Sequence, residues 1–161
     1  MLLRHAKALA DTGPTGAAGD HARDLSDRGC RDALAMGDTL RRRGLLPQHV
    51  LVSSALRTRR TLELLGGFDT SPGIEIVDRL YLAEPEELLA CVQGLPDTMG
   101  AVMLVGHNPG LHELAMHLGG SGAPAGLRDG LPTCALVVLE IEGSWSSLPR
   151  HGGSPAELIR A

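Results

Sequence analysis

The chain has 161 residues, and its 15 Lys and Arg against 19 Asp and Glu give a formal net charge of -4 at pH 7. Aromatic residues make up only 2% of the chain, which argues against the stacking surfaces of single-stranded nucleic-acid binders. The negative charge likewise argues against a general binder of nucleic-acid backbones. The length predicts one domain over residues 1–161 with a sizeable buried core.

The apolar residues give no export or membrane signal. The apolar start ends at Leu3, and no run approaches the roughly 20 apolar residues that a spanning helix needs. The three cysteines are odd in number and lack a CxxC spacing, so they predict neither a disulfide framework nor a zinc site. We therefore expect a cytoplasmic protein with reduced cysteines and no contact with a membrane.

Along the chain, strand and helix patterns alternate. The predicted strands cover residues 1–4, 49–52, 74–77, 101–106 and 134–143. The predicted helices lie within residues 26–44, 53–67, 85–95, 109–118 and 154–159, and loops are expected at 11–22 and 119–126. Ser26 is expected to cap the first helix, and Ser154, Pro155 and Glu157 to form the start of the last one.

This alternation predicts an α/β fold, specifically a three-layer α/β/α sandwich around a mostly parallel sheet. The continuous apolar run at 101–106 suits a strand that is buried on both faces. Ligands of such sheets bind beyond the carboxyl ends of the strands. The residues that follow the strands are therefore the first candidates for a functional site.

Polar residues follow three of the predicted strands. Arg4 and His5 end the first, Ser53 and Arg57 follow the second, and His107 comes directly after the buried run. If these strand ends share one edge of the sheet, two arginines and two histidines converge there. The sequence therefore predicts a pocket for an anion, with a histidine as candidate nucleophile.

Three ordered motifs carry a resemblance to a known family. LLRHAKA, SSALRTRRT and VGHNP together resemble the histidine phosphatase superfamily, the phosphoglycerate mutase-like group. The segments RHAK, Arg23-Asp24-Leu25 and LYLAEPEELL are similar to its SixA-type phosphohistidine phosphatases. The resemblance runs from about residue 2 to 120, and Ala6 stands where glycine is commonest in the family.

The resemblance implies a phosphoglycerate mutase-like fold and a phosphatase that needs neither a metal ion nor a cofactor. It implies that His5 becomes phosphorylated and that Arg4, Arg57 and His107 bind the transferred phosphoryl group, with Arg23 as a further ligand. Elementary chemistry agrees, because neutral imidazole is a nucleophile near pH 7. Arginines are in turn bidentate donors to phosphate.

A proton donor for the leaving group is harder to assign. Larger members of the superfamily use a carboxylic acid, for which Glu84, Asp11 and Asp20 are the candidates in this chain. Phosphohistidine releases imidazole, whose pKa near 6.5 makes it a better leaving group than an alkoxide. The absence of a clear acid therefore favours a phosphohistidine substrate.

The sequence-based hypothesis is a phosphatase that acts on phosphohistidine in a protein partner. The short connections after the strands leave little material for a lid and suggest an open site. Two alternatives remain, namely a phosphomonoesterase or mutase for a small phosphorylated metabolite, and a non-catalytic phosphate-binding module. Arg23 could also pair with Asp20 or Asp27 instead of phosphate.

Other histidines offer less. His21, His49 and His151 have no supporting neighbours in the sequence, and no function is predicted for them. In the segment HELAMH the two histidines, at positions 112 and 117, are five residues apart. A zinc-binding helix needs a spacing of four, so this segment predicts no metal site.

Overall fold

The structure, a computed structural model, describes residues 1–10, 16–68, 71–148 and 156–161. Its strands are β1 (Leu2–Arg4), β2 (His49–Ser53), β3 (Gly73–Val77), β4 (Val102–Gly106), β5 (Leu136–Leu139) and β6 (Ala156–Ile159). Its α-helices are α1 (Ala17–His21), α2 (Asp27–Arg43), α3 (Leu56–Leu64), α4 (Pro85–Gln93) and α5 (Gly110–Gly119).

The strands form one mixed sheet in the order β3-β2-β4-β1-β5-β6. The pairs β2–β3, β2–β4 and β1–β4 are parallel, whereas β5 runs antiparallel to both β1 and β6. In the register of β1 and β4, Arg4 lies opposite Gly106. The α/β prediction with a mostly parallel sheet is confirmed, and the carboxyl ends of β2, β4 and β1 lie side by side.

Alternate residues of each strand bury opposite faces of the sheet. Leu2 belongs to a core cluster with residues of α4 and α5, and Leu3 belongs to a second cluster with residues of α2 and α3. The sheet is thus covered by helices on both faces, as the three-layer prediction requires. No helix in the described ranges is both long and apolar enough to span a membrane.

The helix ends follow the predicted capping signals. The Ser26 side chain accepts a hydrogen bond from the Gly29 amide, and α2 ends at Gly44, whose φ of 65° is left-handed. Helix α4 begins with Pro85 after a capping box of Glu84 and Glu87. Local sequence therefore fixes where these two helices start, and glycine fixes where α2 stops.

The predicted C-terminal helix at 154–159 is wrong. Residues Ala156–Ile159 form strand β6, which pairs with β5 so that Ile159 lies opposite Leu136 and is buried. Pairing with an exposed sheet edge supplies backbone hydrogen bonds that a single helical turn cannot match. The proposed cap residues Ser154 and Pro155 lie outside the described residues.

The predicted loop at 11–22 is wrong in part, because Ala17–His21 forms the short helix α1. Residues 11–15 lie outside the described part of the chain. A five-residue helix has little stability of its own, and α1 is tied to the rest of the protein through its fourth residue, Asp20. The predicted loop at 119–126 contains two short 3-10 turns, Gly120–Gly122 and Ala125–Leu127.

Candidate active site

The carboxyl ends of β1, β2 and β4 bring together the residues that the sequence placed after each strand. The amide of His5 donates a hydrogen bond of 3.1 Å to the carbonyl of Gly106, the last residue of β4. The rings of His5 and His107 lie 5.2 Å apart between centroids. The predicted convergence of the two histidines is therefore present.

His5 is held in one tautomer by its neighbour. Its Nδ1 donates to the backbone oxygen of Ala6 at 2.8 Å, so the neutral ring carries its proton on Nδ1 and its lone pair on Nε2. The Ala6 amide in turn donates to the hydroxyl of Thr61, in α3, at 3.0 Å. Ala6 is fully buried in the core, and the backbone that orients His5 is thus itself fixed.

His107 is 3% exposed and lies at the end of the most buried strand. Its Nε2 lies 2.8 Å from the hydroxyl oxygen of Ser53, the last residue of β2. Its Nδ1 is buried and has no hydrogen-bond partner among the described residues. A buried polar atom without a partner is costly, and this one lies on a ring that packs beside His5.

Arg4 is anchored on the other side of His5. Its Nη1 donates to the carbonyl of Leu131 at 2.8 Å, and the side-chain amide of Asn108 donates to the same oxygen at 2.9 Å. Burial lowers the pKa of the Arg4 guanidinium from its usual value. Within the part of the chain that the structure describes, the Nε of Arg4 and the side-chain oxygen of Asn108 are buried without a hydrogen-bond partner.

Arg57 and Arg23 meet at Asp20. Arg57 is 3% exposed and donates to the Asp20 backbone oxygen at 2.6 Å and to its Oδ2 at 2.9 Å. Arg23 donates to Asp20 Oδ1 at 2.8 Å, and its other nitrogens donate to the carbonyl of Leu9. The expected alternative pairing of Arg23 with Asp20 is thus present, in an ion pair that Asp20 shares with Arg57.

The sequence did not identify two further residues of this cluster. The Tyr81 hydroxyl donates to Asp20 Oδ2 at 2.6 Å, and its ring meets the rings of His107 and His21 edge-on at 5.5 and 4.8 Å. The Nε2 of His21 lies 2.9 Å from the Ser54 hydroxyl oxygen. The sequence predicted no function for His21, and the structure places it against Tyr81 through α1.

A signal for Tyr81 was present in the sequence. It is the only tyrosine of the chain, and it follows β3, whose carboxyl end faces the same edge as that of β2. His21 had no such signal, because the short α1 shows no hydrophobic periodicity. Its position depends on contacts with residues far along the chain.

The charges of the arginines and the burial of the rings keep both histidines neutral. Burial, together with the charges of Arg57, Arg4 and Arg23, lowers the pKa of His5 to about 4, although the hydrogen bond to Ala6 acts in the opposite direction. Burial is also the main reason that the pKa of His107 falls to about 3. At neutral pH the site thus combines two uncharged imidazoles with three guanidinium groups.

The carboxylic acid candidates occupy different positions. Burial raises the pKa of Asp20, but the hydrogen bonds from Tyr81 and Arg23 and the charge of Arg57 outweigh it and hold the pKa well below the usual range. Asp20 is therefore a carboxylate at neutral pH. Glu84 is exposed at the start of α4, and Asp11 lies outside the described residues.

The other histidines and the possible metal ligands contribute no further residue to this site. His49 is the first residue of β2, at the opposite end of that strand from Ser53, and its Nε2 lies 3.8 Å from the Glu75 carboxylate. His151 lies outside the described residues. Across residues 1–10, 16–68, 71–148 and 156–161, His, Cys, Asp and Glu side chains form no group that could hold a metal ion.

Comparison with known proteins places the chain among relatives of similar length. No family model matches it. An uncharacterized protein of Mycobacterium leprae is 32% identical over 98% of this chain and 96% of its own length. An uncharacterized protein of Mycobacterium tuberculosis is 32% identical over 91% of each chain.

Solved structures are similar in both sequence and fold. The SixA protein of Agrobacterium tumefaciens is 33% identical, with a TM-score of 0.76 over 86% of this chain and 88% of its own. The SixA protein of Nakamurella multipartitia is 31% identical, with a TM-score of 0.75 over 99% and 94%. The protein histidine phosphatase SixA complexed with tungstate shares the fold at a TM-score of 0.77 and 23% identity over 99% and 94%.

Proposed function

The chain belongs to the SixA group of the histidine phosphatase superfamily, and from this premise we propose that it hydrolyses phosphohistidine on a partner protein through a covalent intermediate on His5. The observation that best supports this proposal is the 2.8 Å hydrogen bond from Nδ1 of His5 to the backbone oxygen of Ala6. This bond leaves the lone pair on Nε2, which is the atom that would attack phosphorus.

Three arginines supply the positive charge that phosphoryl transfer needs. Arg4, Arg23 and Arg57 all lie close enough to His5 to lower its pKa. The transition state spreads negative charge over the equatorial oxygens, and each preorganised donor in a water-poor site can contribute roughly 3 to 4 kcal/mol. With guanidinium groups in this role, the reaction requires no metal ion.

Two buried nitrogens support a phosphate ligand at the same place. The Nε of Arg4 and the Nδ1 of His107 have no hydrogen-bond partner in the described part of the chain. If the Ser53 hydroxyl donates to Nε2 of His107, the neutral ring keeps its proton on Nδ1 and becomes a donor. Both nitrogens would then donate to phosphoryl oxygens and lose their desolvation penalty on binding.

The reaction would proceed in two steps. In the first, the substrate ring takes a proton from solvent on its other nitrogen, Nε2 of His5 attacks phosphorus, and the bond from phosphorus to the substrate nitrogen breaks, so that neutral imidazole leaves. In the second, water attacks the phosphorus of phosphorylated His5. This step releases inorganic phosphate and returns the neutral histidine with its proton on Nδ1.

The carboxylates of the site favour phosphohistidine over an alcohol phosphate. Asp20 is held as a carboxylate by three donors, and Glu84 caps α4, so neither is placed as a proton donor. An alkoxide leaving group requires such a donor, whereas imidazole, with a pKa near 6.5, requires much less help. This supports a phosphorylated protein over a small phosphorylated metabolite.

Trapping the intermediate tests the proposal. The protein is incubated with a peptide carrying labelled phosphohistidine, quenched in alkali and examined for protein-bound label that acid removes. We expect label in the wild type and in His49→Ala, a control histidine at the start of β2 and thus away from the site, and none in His5→Ala. Turnover without label, or equal label in His5→Ala, would contradict a His5 intermediate.

A substrate panel separates the alternatives. Phosphohistidine peptide, sugar phosphates and phosphoglycerate are compared at equal concentration, with His107→Ala in parallel. We expect the peptide to be hydrolysed with the highest kcat/KM. A higher value for a sugar phosphate would favour the small-molecule phosphomonoesterase, and phosphate binding without turnover of any substrate would favour the non-catalytic module.

A further inference from the structure

The carboxylate of Asp20 lies at the centre of the arginine cluster. Its Oδ1 accepts from Arg23 at 2.8 Å, and its Oδ2 accepts from Arg57 at 2.9 Å and from the Tyr81 hydroxyl at 2.6 Å. Its backbone oxygen accepts a second bond from Arg57, at 2.6 Å. One residue of a one-turn helix thus contacts two of the arginines assigned to phosphate and the tyrosine beside His107.

These contacts use only part of each guanidinium. An arginine offers five N–H donors in a planar fork. In the described contacts, Asp20 takes two donors of Arg57, while Asp20 and the Leu9 carbonyl take three of Arg23. The remaining N–H groups of both side chains would be the ones that an oxyanion contacts. Asp20 therefore orders the two arginines without occupying all of their N–H donors.

We propose that Asp20 is the internal counter-anion of the phosphate site, a positioning residue that aligns Arg23 and Arg57 and limits how tightly they hold inorganic phosphate. This inference rests on the proposed function, because it takes the arginines to be the phosphoryl ligands. It assigns Asp20 neither the nucleophilic nor the proton-donating role. It assigns it a part in product release.

Charge balance is the physical basis of the inference. The guanidinium groups of Arg4, Arg23 and Arg57 carry three positive charges, and the Asp20 carboxylate, held in its charged form by its donors, leaves a formal charge of two. A phosphoryl dianion carries the same charge with opposite sign. Without the carboxylate the excess positive charge would attract phosphate more strongly, and in a partly buried site this attraction is poorly screened.

The variant Asp20→Asn tests this with minimal change of shape. An amide can keep its oxygen toward Arg57 and Tyr81, while its NH2 group faces Arg23 and can no longer accept from it. The substitution therefore removes one negative charge and releases Arg23. The matched control is Asp24→Asn, which removes the same charge from a carboxylate that lies 3.6 Å from Arg60 and 47% exposed.

Calorimetric titration with inorganic phosphate provides the first measurement. We expect Asp20→Asn to bind phosphate about fivefold more tightly or better, whereas Asp24→Asn changes the Kd by less than about twofold. Asp20→Glu keeps the charge, and we expect its Kd to stay near that of the wild type. Unchanged or weaker phosphate binding in a folded Asp20→Asn protein, or no binding by the wild type, would overturn the inference.

Kinetics with phosphohistidine peptide provide the second measurement. A tighter product complex slows phosphate release, so kcat and KM should fall together in Asp20→Asn while kcat/KM changes much less. A merely structural role would lower kcat and weaken phosphate binding instead, which would also overturn the inference.

The two proposals fail separately. Phosphate binding needs no turnover, so a tighter Kd in Asp20→Asn without any label on His5 would support the counter-anion and contradict the proposed phosphatase mechanism. Label on His5 together with an unchanged Kd for phosphate in Asp20→Asn would support the His5 mechanism and contradict the counter-anion role of Asp20.

Discussion

The hydroxyl of Thr61 lies 3.0 Å from the backbone nitrogen of Ala6, which is 55 positions away in the sequence. The oxygen of Ala6 accepts from Nδ1 of His5. The contact between α3 and the segment after β1 therefore fixes the residue that orients the imidazole. The same hydroxyl donates to the backbone oxygen of Arg57 at 2.7 Å. Thr61 thus joins Ala6, the residue whose carbonyl orients His5, to the helix that carries Arg57.

Thr61→Val is therefore expected to affect both stability and activity. The change conserves shape but leaves the buried Ala6 amide without an acceptor, which costs about 1 to 3 kcal/mol in the free energy of unfolding. The freed peptide should also lower the rate of label transfer to His5 by about tenfold. Urea denaturation and rapid-quench labelling measure the two effects.

Thr39→Val is the matched control. Thr39 also donates to a helix carbonyl, that of Ala35 at 3.0 Å, but this hydrogen bond on α2 is exposed to solvent. We expect its substitution to leave the labelling rate unchanged and to alter stability by less than about 0.5 kcal/mol. Equal effects in the two threonine variants would contradict a specific role for Thr61.

Ser53→Ala tests how His107 is oriented. The hydroxyl of Ser53 is fully buried and contacts Nε2 of His107 at 2.8 Å. Without it the ring can carry its proton on either nitrogen, and the donor at Nδ1 is lost in part of the population. We expect kcat for phosphohistidine peptide to fall about tenfold.

The adjacent serine supplies the comparison for that experiment. Ser54 contacts His21 in the same manner, at 2.9 Å, but His21 is not among the proposed phosphoryl ligands. Ser54→Ala should therefore reduce kcat less than Ser53→Ala does. A larger loss in Ser54→Ala would indicate that His21, rather than His107, limits the reaction.

Ala6→Gly addresses the one departure from the family motif. The side chain of Ala6 is fully buried in the core cluster that contains Leu3 and Met36, so its methyl group packs into the protein interior. Its removal should lower the free energy of unfolding by about 1 kcal/mol, through lost burial and a more flexible unfolded chain. Activity should not rise. A faster Ala6→Gly enzyme would show that the methyl group obstructs the substrate.

The sequence was sufficient for the part of the site that the sheet builds. Arg4 ends β1, His5 follows it, and His107 follows β4. Parallel pairing of neighbouring strands brings residues at such strand ends to the same side of the sheet, whatever the loops do. Arg57 follows because α3 begins directly after β2. Periodicity and the three motifs therefore predicted the positions of these four residues.

The rest of the site depends on contacts that no local pattern encodes. Asp20 lies in a short helix without hydrophobic periodicity, and it meets Tyr81 across 61 positions. The helix prediction for residues 154–159 is wrong for a related reason. Their capping-box pattern favours a helix locally, but pairing with β5 makes residues 156–159 a strand. Tertiary hydrogen bonds outweigh local propensity in both places.

The buried histidines predict how stability depends on pH. The pKa of His107 falls from an ordinary 6.5 to about 3, and that of His5 to about 4. The unfolded chain therefore takes up protons below pH 6.5 while the folded site does not, so stability is full above that pH and is lost as the pH falls toward 4. Each histidine should contribute up to about 1.4 kcal/mol per pH unit in this window.

Urea denaturation at several pH values from 7 to 4.5 measures this slope, above the range in which most carboxylates titrate. In His107→Gln the slope should decrease by about one proton equivalent, because a glutamine cannot be protonated in either state. His49→Gln removes a histidine at the start of β2 and leaves His5 and His107 in place. We therefore expect most of the slope to persist in this variant. An equal slope in the wild type and in His107→Gln would mean that the folded protein protonates His107 as readily as the unfolded chain does. In that case His107 would be cationic in the site near pH 5.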